Sequence, residues 1–262
     1  GSSAKDLAEK LNLRDPHQSL ASEINGKEYD LISRLKEGDA VKLLHFESKK
    51  GKEIFWHSSA HVLAQAVLRL YPDAEPTIGP PIENGFYYDF ANLTLSEEDF
   101  GKIEKEIKKV LSENFKPELY RFKDKEEALK EFGSNKYKKE LIESFEEGSP
   151  ITGYRQGEFF DLCRGPHLPN LGKIKAFKLL KTSGAYWRGN SDNEMLTRIY
   201  GISFPNKQEL KDYLFMLEEA KKRDHRLVGT KLDLFSFHEE APSMPFMHPK
   251  GCLLYTSPSP RD

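Results

Sequence analysis

Across residues 57–70 the apolar side chains Val62, Leu63, Ala66, Val67 and Leu70 recur at the ~100° per residue spacing of one helix face,. A helix written this way must lay that face against another layer. The neighbouring segments are written for strands. Gly85-Phe86-Tyr87-Tyr88-Asp89-Phe90 is an aromatic-rich run, and residues 119–122, 159–162, 174–179 and 195–200 are short apolar stretches bounded by turn residues,. The chain is therefore expected to be α+β, with helices packed on an antiparallel sheet.

Further helices follow the same rules. Ser96 caps a segment with Glu97, Glu98 and Asp99 in its first turn and Phe100, Ile103, Ile107, Val110 and Leu111 as its stripe,. Shorter helices are expected at residues 5–11, 126–131 and 137–145, and a longer one from Asn206 carries Leu210, Leu214 and Leu217. Asn25-Gly26 predicts a tight hairpin turn, and Val41 and Leu43 alternate as a strand,. The polar, basic run Ser48-Lys49-Lys50-Gly51-Lys52 reads as a solvated connector and marks a first boundary,.

Charged residues make up 31% of the 262 and hydrophobic ones 37%, the balance of a globular protein with a heavily solvated surface,. No apolar run approaches the ~18 residues of a membrane-spanning helix, so no membrane partner is expected. A formal net charge of −2 requires any nucleic-acid contact to come from local basic patches, such as residues 173–181 or 221–223,. Cys163 and Cys252 are too few for a disulfide framework and fit a reducing, cytoplasmic location,. The start, Gly1-Ser2-Ser3-Ala4, lacks an initiator Met and a signal-peptide pattern, and reads as a chain cut from something longer,.

The chemistry concentrates in two clusters. His57-Ser58-Ser59-Ala60-His61 puts two imidazoles at i and i+4, neighbours on one helix face,. About a hundred positions later Asp161-Leu162-Cys163-Arg164-Gly165-Pro166-His167 leaves a strand. Converging, His57, His61, Cys163 and His167 would make a tetrahedral zinc set. The zinc-protease motif is excluded, because it needs Glu where Ser58 stands,. The same groups equally describe a metal-free polar pocket that holds a water against an ester carbonyl.

The runs from His57 to Ala66, from Ile78 to Phe90 and from Asp161 to His167 resemble the editing domain of bacterial-type threonine-tRNA ligases. Residues 197–204 resemble the end of that domain, which alanine-tRNA ligases and free-standing alanine-editing proteins share more loosely. Residues 1–47 resemble the small ubiquitin-like β-grasp domain, lacking its first strand. On this resemblance residues 48–205 form the editing domain, 206–224 a linker helix and 225–251 the opening of a class II aminoacylation domain. Residues 252–262, with two prolines and no helical stripe, depart from the family as a non-family tail.

The resemblance implies hydrolysis of serine wrongly attached to threonine tRNA, whose 3′ end would be the partner. It makes His57, His61, Lys138, Asp161, Cys163 and His167 the catalytic candidates and Tyr88 a substrate-binding one. His57 and Lys138 would activate or position water, and Asp161 would orient the substrate amino group. Zinc at the editing site stays one of two readings. The family's zinc and its ATP with magnesium belong to the class II domain, beyond this chain, as does the homodimer contact. Rival readings are a free-standing alanyl-tRNA editing hydrolase and an inactive tRNA- or metal-binding module.

Overall fold

The Ser3 hydroxyl accepts the Asp6 N–H at 3.2 Å while the Asp6 carboxylate accepts the Ser3 N–H at 2.8 Å. This reciprocal cap satisfies two donors that a helix start leaves unpaired, and it opens α1 (Ala4–Lys10),. The hairpin of β1 (Ala21–Ile24) and β2 (Lys27–Asp30) turns through Asn25 and Gly26 at φ 51° and 84°, the left-handed pair such a turn demands,. On the other side of β1 lies β3 (Val41–Leu44), making an antiparallel sheet in the order β2-β1-β3. The computed structural model describes residues 2–11 and 19–257.

No connector follows. Ser48 is the cap of α2 (Lys49–Leu70), its hydroxyl accepting the Gly51 N–H at 3.0 Å, and Lys50 pairs with Glu23 at 2.7 Å and Glu28 at 2.6 Å. The expected boundary run is thus the first turn of a 22-residue helix tied to the N-terminal sheet. Polarity suggested a solvated linker, but the same residues suit a helix start with acidic neighbours from elsewhere in the chain. From Ile54 to Val67 almost every side chain of α2 is buried or half-buried, so the helix runs through the interior and carries its histidines inside.

That interior is completed by β4 (Glu75–Pro76), β5 (Pro81–Ile82) and β6 (Gly85–Ala91). A short 3-10 turn behind Ser96 leads into α3 (Phe100–Glu113), whose stripe Phe100, Ile103, Ile107 and Val110 is buried. Next come β7 (Glu118–Arg121), α4 (Lys125–Phe132), α5 (Lys136–Glu143), β8 (Thr152–Gln156) and β9 (Phe159–Leu162). The three strands form an antiparallel sheet, β7-β8-β9. Its central strand, Thr-Gly-Tyr-Arg-Gln, has no apolar alternation that sequence reading could find, and pairing on both edges holds it.

The long strands β10 (Ala176–Tyr186) and β11 (Met195–Phe204) extend well past the expected 174–179 and 195–200. With β6 and the two short strands they form the largest sheet, β10-β11-β6-β4, with β5 also paired to β6. Phe86, Tyr88 and Phe90, alternating along β6, are fully buried, and α2 packs on β6 and β11. Burial at this scale contributes about 1.5–3 kcal/mol per large side chain. Two polar ties orient the helix on the sheet: the Trp56 indole donates to the Ser203 carbonyl at 3.0 Å, and the Ser59 and Ser203 hydroxyls lie 2.6 Å apart.

The chain divides into two compact units, Gly1–Lys207 and Gln208–Asp262. At the junction begins α6 (Lys207–Lys222), followed by α7 (His225–Lys231), the hairpin of β12 (Phe235–His238) and β13 (Ala241–Met247), and α8 (Pro249–Thr256). The stretch from Cys252, which carries no helical stripe in the sequence, is helical as far as Thr256. Pro249 suits a first helical turn, and Leu253, Leu254 and Tyr255 continue it although they stay exposed,. The two prolines of the tail, Pro258 and Pro260, lie outside the described residues. No helix of the described residues is long and apolar enough to cross a membrane.

Arg69 ends α2 at a three-way junction. Its guanidinium meets Glu113 of α3 through two bonds of 2.8 Å, Glu158 of the β8–β9 turn at 2.5 Å and Glu106 at 3.5 Å. The hydrogen bond from Arg69 holds the Glu158 carboxyl down at about 2. A depressed carboxylate stabilises the fold above its ordinary pKa and loses that effect as pH falls toward the depressed value. Arg69→Ala is therefore expected to lower unfolding stability by on the order of 1 kcal/mol at neutral pH, since each pair is partly exposed. In urea titrations the deficit should shrink in 1 M salt and between about pH 4.5 and 2.

Candidate active site

Four stretches of the first unit converge on one cavity of about 380 Å³. From α2 come His57 and His61, ring centroids 5.2 Å apart as i and i+4 spacing requires,. Asp161 on β9 and Cys163 just after it complete the floor, Lys138 and Leu141 of α5 form one side, and Gly79-Pro80-Pro81 the opposite wall. Arg164, exposed, stands at the rim and leans over the Phe145 ring.

The two clusters singled out in the sequence do meet. The Cys163 sulfur lies 3.3 Å from His57 Nε2 and 3.2 Å from His167 Nε2, and it accepts the Gly165 N–H at 3.2 Å. One ligand atom from each of His57, His61, Cys163 and His167 can be chosen so that all four lie within 4.8 Å of one another. His61 Nδ1 is buried without a hydrogen-bond partner among the described residues, an orphan that calls for a proton acceptor, a water or an ion,. A tetrahedral zinc with three nitrogens and one sulfur has ligand edges of roughly 3.3–3.8 Å. The donor types fit such an ion, and the two sulfur–nitrogen separations, slightly shorter than those edges, would open a little to admit it, so this group could hold a metal ion.

Lys138 reaches the site because Asn135 caps α5, its side chain accepting the Tyr137 and Lys138 N–H groups at 3.0 Å each. The Lys138 ammonium lies 2.5 Å from Asp161 Oδ1, with both side chains about 95% buried. On the other oxygen the Tyr88 hydroxyl donates at 2.5 Å, and His61 Nε2 stands 3.6 Å away. Tyr88 is fully buried and does not line the cavity; it supports the carboxylate from behind. His167 likewise stands one layer back, against the sulfur.

Burial sets the protonation of these groups. It pulls His57 down to about 4 and His61 to about 3, with the Asp161 charge only partly opposing, and it holds His167 well below the usual imidazole range,. All three imidazoles are neutral at pH 7. For Asp161 burial pushes upward, yet the charge of Lys138 and the hydrogen bonds from Lys138 and Tyr88 outweigh it and keep the carboxyl below its ordinary value. Burial also pushes the Cys163 thiol up, so without a metal it is a proton donor to an imidazole and not a thiolate nucleophile,.

Ser58, which the sequence offered only as the position where a zinc protease has Glu, is hydrogen-bonded to the ring of His167. Its hydroxyl donates to the Ile54 carbonyl at 3.0 Å, accepts the Leu168 N–H at 3.0 Å and lies 2.9 Å from His167 Nδ1. A hydroxyl has one proton and two acceptor sites. With the proton given to Ile54, Ser58 must accept from an Nδ1–H, which leaves His167 Nε2 with its lone pair toward the sulfur. Ser58→Ala is expected to leave two buried donors unpaired, costing about 1–3 kcal/mol of unfolding stability. The ¹⁵N spectrum of His167 should then lose its fixed Nδ1–H tautomer; unchanged stability and an unchanged tautomer would count against this accounting.

The basic stretches noted in the sequence are partly used internally. Lys178 pairs with Glu104 at 3.0 Å, Lys181 lies over the Tyr200 ring, and Lys222 and Arg223 pair with Glu219 at 2.9 and 3.4 Å.

Residues 151–200 match the family described as "Threonyl and Alanyl tRNA synthetase second additional domain". That segment carries Asp161, Cys163 and His167, while His57, His61, Tyr88 and Lys138 lie before it. Among curated proteins, the threonine-tRNA ligase of Protochlamydia amoebophila is 68% identical over 255 residues, which are 97% of this chain and 39% of that protein. The threonine-tRNA ligase of Chlamydia felis is 55% identical over 97% of this chain and 40% of its own length. That of Caldanaerobacter subterraneus subsp. tengcongensis is 50% identical over 96% and 39%. The chain spans about two fifths of the length of these relatives. At such identities over nearly all of its residues, it belongs to the threonine-tRNA ligase family.

Proposed function

We propose that this chain is the proofreading part of a threonine-tRNA ligase and hydrolyses serine esterified to the 3′ end of threonine tRNA. The whole protein would join threonine to tRNA with ATP, in a class II domain that also holds its own zinc and its dimer contact. A synthetic pocket shaped for threonine cannot strongly reject serine, because one missing methyl changes binding by only ~1–3 kcal/mol. A second, hydrolytic sieve is the physical remedy. The observation that carries this reading is one cavity lined together by neutral His57 and His61 and the Lys138–Asp161 pair.

In the proposed reaction a water oxygen bonds to the ester carbonyl carbon and the bond from that carbon to the ribose oxygen breaks. Neutral His57, half-buried at the cavity edge, accepts the proton that the water loses and returns it to the departing ribose oxygen. Lys138 supplies positive charge beside the carbonyl oxygen as that oxygen becomes negative. Each Asp161 oxygen has two acceptor sites, and Lys138 and Tyr88 use one on each,. The remaining capacity suits the substrate's ammonium group through a charge-assisted hydrogen bond. If a zinc ion is bound, His57, His61, Cys163 and His167 would hold it and it would acidify a bound water.

Deacylation of seryl-tRNA and threonyl-tRNA, each with and without a chelator, tests this reading. Seryl-tRNA should be consumed and threonyl-tRNA spared. Replacing His57 and His61 together by Ala should cut the rate by at least about 100-fold while circular dichroism stays native. Undiminished hydrolysis in the double variant would defeat the assignment, and faster hydrolysis of mischarged alanine tRNA would move the substrate to that class. Loss of activity in chelator, restored by zinc, would identify the four-ligand arrangement as the working one.

A further inference from the structure

The loop that delivers Cys163 and His167 is held from several directions. The Cys163 N–H donates to the Thr152 carbonyl at 3.0 Å, and the Thr152 hydroxyl donates to the Cys163 carbonyl at 2.6 Å. The Leu168 N–H is taken by Ser58. One further hold comes from far away in sequence: the His167 N–H donates to Asp30 Oδ1 at 2.9 Å, across 137 residues. Asp30 is the last residue of β2, in the N-terminal sheet. Its second oxygen accepts the Tyr154 hydroxyl at 2.7 Å.

Tyr154 in turn bears on the site. Its ring centroid lies 4.4 Å from that of His167. Gly165 has φ +67°, and a Cβ there would fall inside the Tyr154 phenol, so the tyrosine also packs on the loop backbone. Asp30 therefore grips the loop twice, through the His167 backbone and through the ring that abuts the His167 imidazole.

We propose that Asp30 is a positioning residue for the hydrolytic site: through Tyr154 and the His167 N–H it makes the N-terminal sheet set where His167 and Cys163 stand. The inference rests on the hydrolytic reading for its effect on rate, but its geometric content stands apart from that reading. Asp30 touches no reacting atom. Displacing the loop moves the sulfur and imidazole relative to His57, and groups that orient a reacting shell typically alter rate tenfold to 100-fold.

The test uses the full chain carrying Cys252→Ala, so that Cys163 is its one thiol, with Asp30→Ala, Asp30→Asn and Lys50→Ala made in that background. Lys50→Ala removes the ties to Glu23 and Glu28 and loosens the same sheet without touching the loop. Two readouts are taken: kcat and KM for seryl-tRNA, and the rate at which an aromatic disulfide reagent modifies the buried Cys163. Asp30→Ala should lower kcat by at least about tenfold with KM within about twofold, and raise the thiol rate by at least about tenfold. Asp30→Asn, which keeps one acceptor, should fall between, and Lys50→Ala should leave both readouts near the parent values.

Unchanged thiol rates in both Asp30 variants would overturn the proposal, as would a raised thiol rate with unchanged kcat. An equal effect of Lys50→Ala would overturn it by assigning the change to sheet stability. If the parent chain hydrolyses no seryl-tRNA, the hydrolytic reading falls, and the thiol rates alone decide whether Asp30 holds the loop.

Discussion

The Asp161 carboxylate and the Lys138 ammonium are buried side by side, and the first unit is arranged so that neither is left alone. Removing water from an ion costs several kcal/mol, which a partner at 2.5 Å offsets only if the remaining acceptor sites are also used,. Tyr88 takes a place on the second oxygen and His61 stands beside it. The four residues come from β9, α5, β6 and α2. One ion pair therefore fixes how four separately encoded elements meet, since losing either partner leaves an uncompensated buried charge, typically ~3–5 kcal/mol.

The dryness that makes the pair demanding also prepares the imidazoles. In water a histidine is divided between its two forms near neutral pH; here burial keeps all three neutral, each with a lone pair to offer a proton, a water or a metal ion,. Protonation and geometry are thereby linked. Ser58 has a single proton, directed to Ile54, so the tautomer of His167 follows from a backbone carbonyl one helical turn away. Hydrolysis and metal binding need the same neutral nitrogens, which is why sequence reading found two chemistries in one residue set.

Much of the architecture was legible in advance because periodicity reports burial. The aromatic alternation of β6, the stripe of α3 and the Asn25-Gly26 turn follow from local rules, and each lies close to where those rules put it. Other features escaped because their partners are distant. Ser48 to Lys52 is polar and basic whether it is a linker or a helix start, and only Glu23 and Glu28 across the N-terminal sheet make it the latter. β8 has no apolar alternation and is a strand because β7 and β9 flank it. Residues 252–256 continue α8 with Leu253, Leu254 and Tyr255 all exposed, so that helix has no apolar stripe for the sequence to report.

By itself the sequence determined which residue types could do chemistry: His57 and His61 one helical turn apart, and Asp161, Cys163 and His167 within one strand exit. Spacing along a helix or a turn is a local property, and local geometry converts it directly into proximity. Tertiary structure alone decided that these stretches share a cavity, that Lys138 out of three neighbouring lysines turns inward, that Tyr88 stands behind Asp161, and that Ser58 and Asp30 hold the loop. Those contacts join residues up to 137 positions apart, and no periodic signal spans such a distance. They depend on how sheets and helices pack, and on the rule that a buried polar group must find its partner wherever the chain happens to bring one.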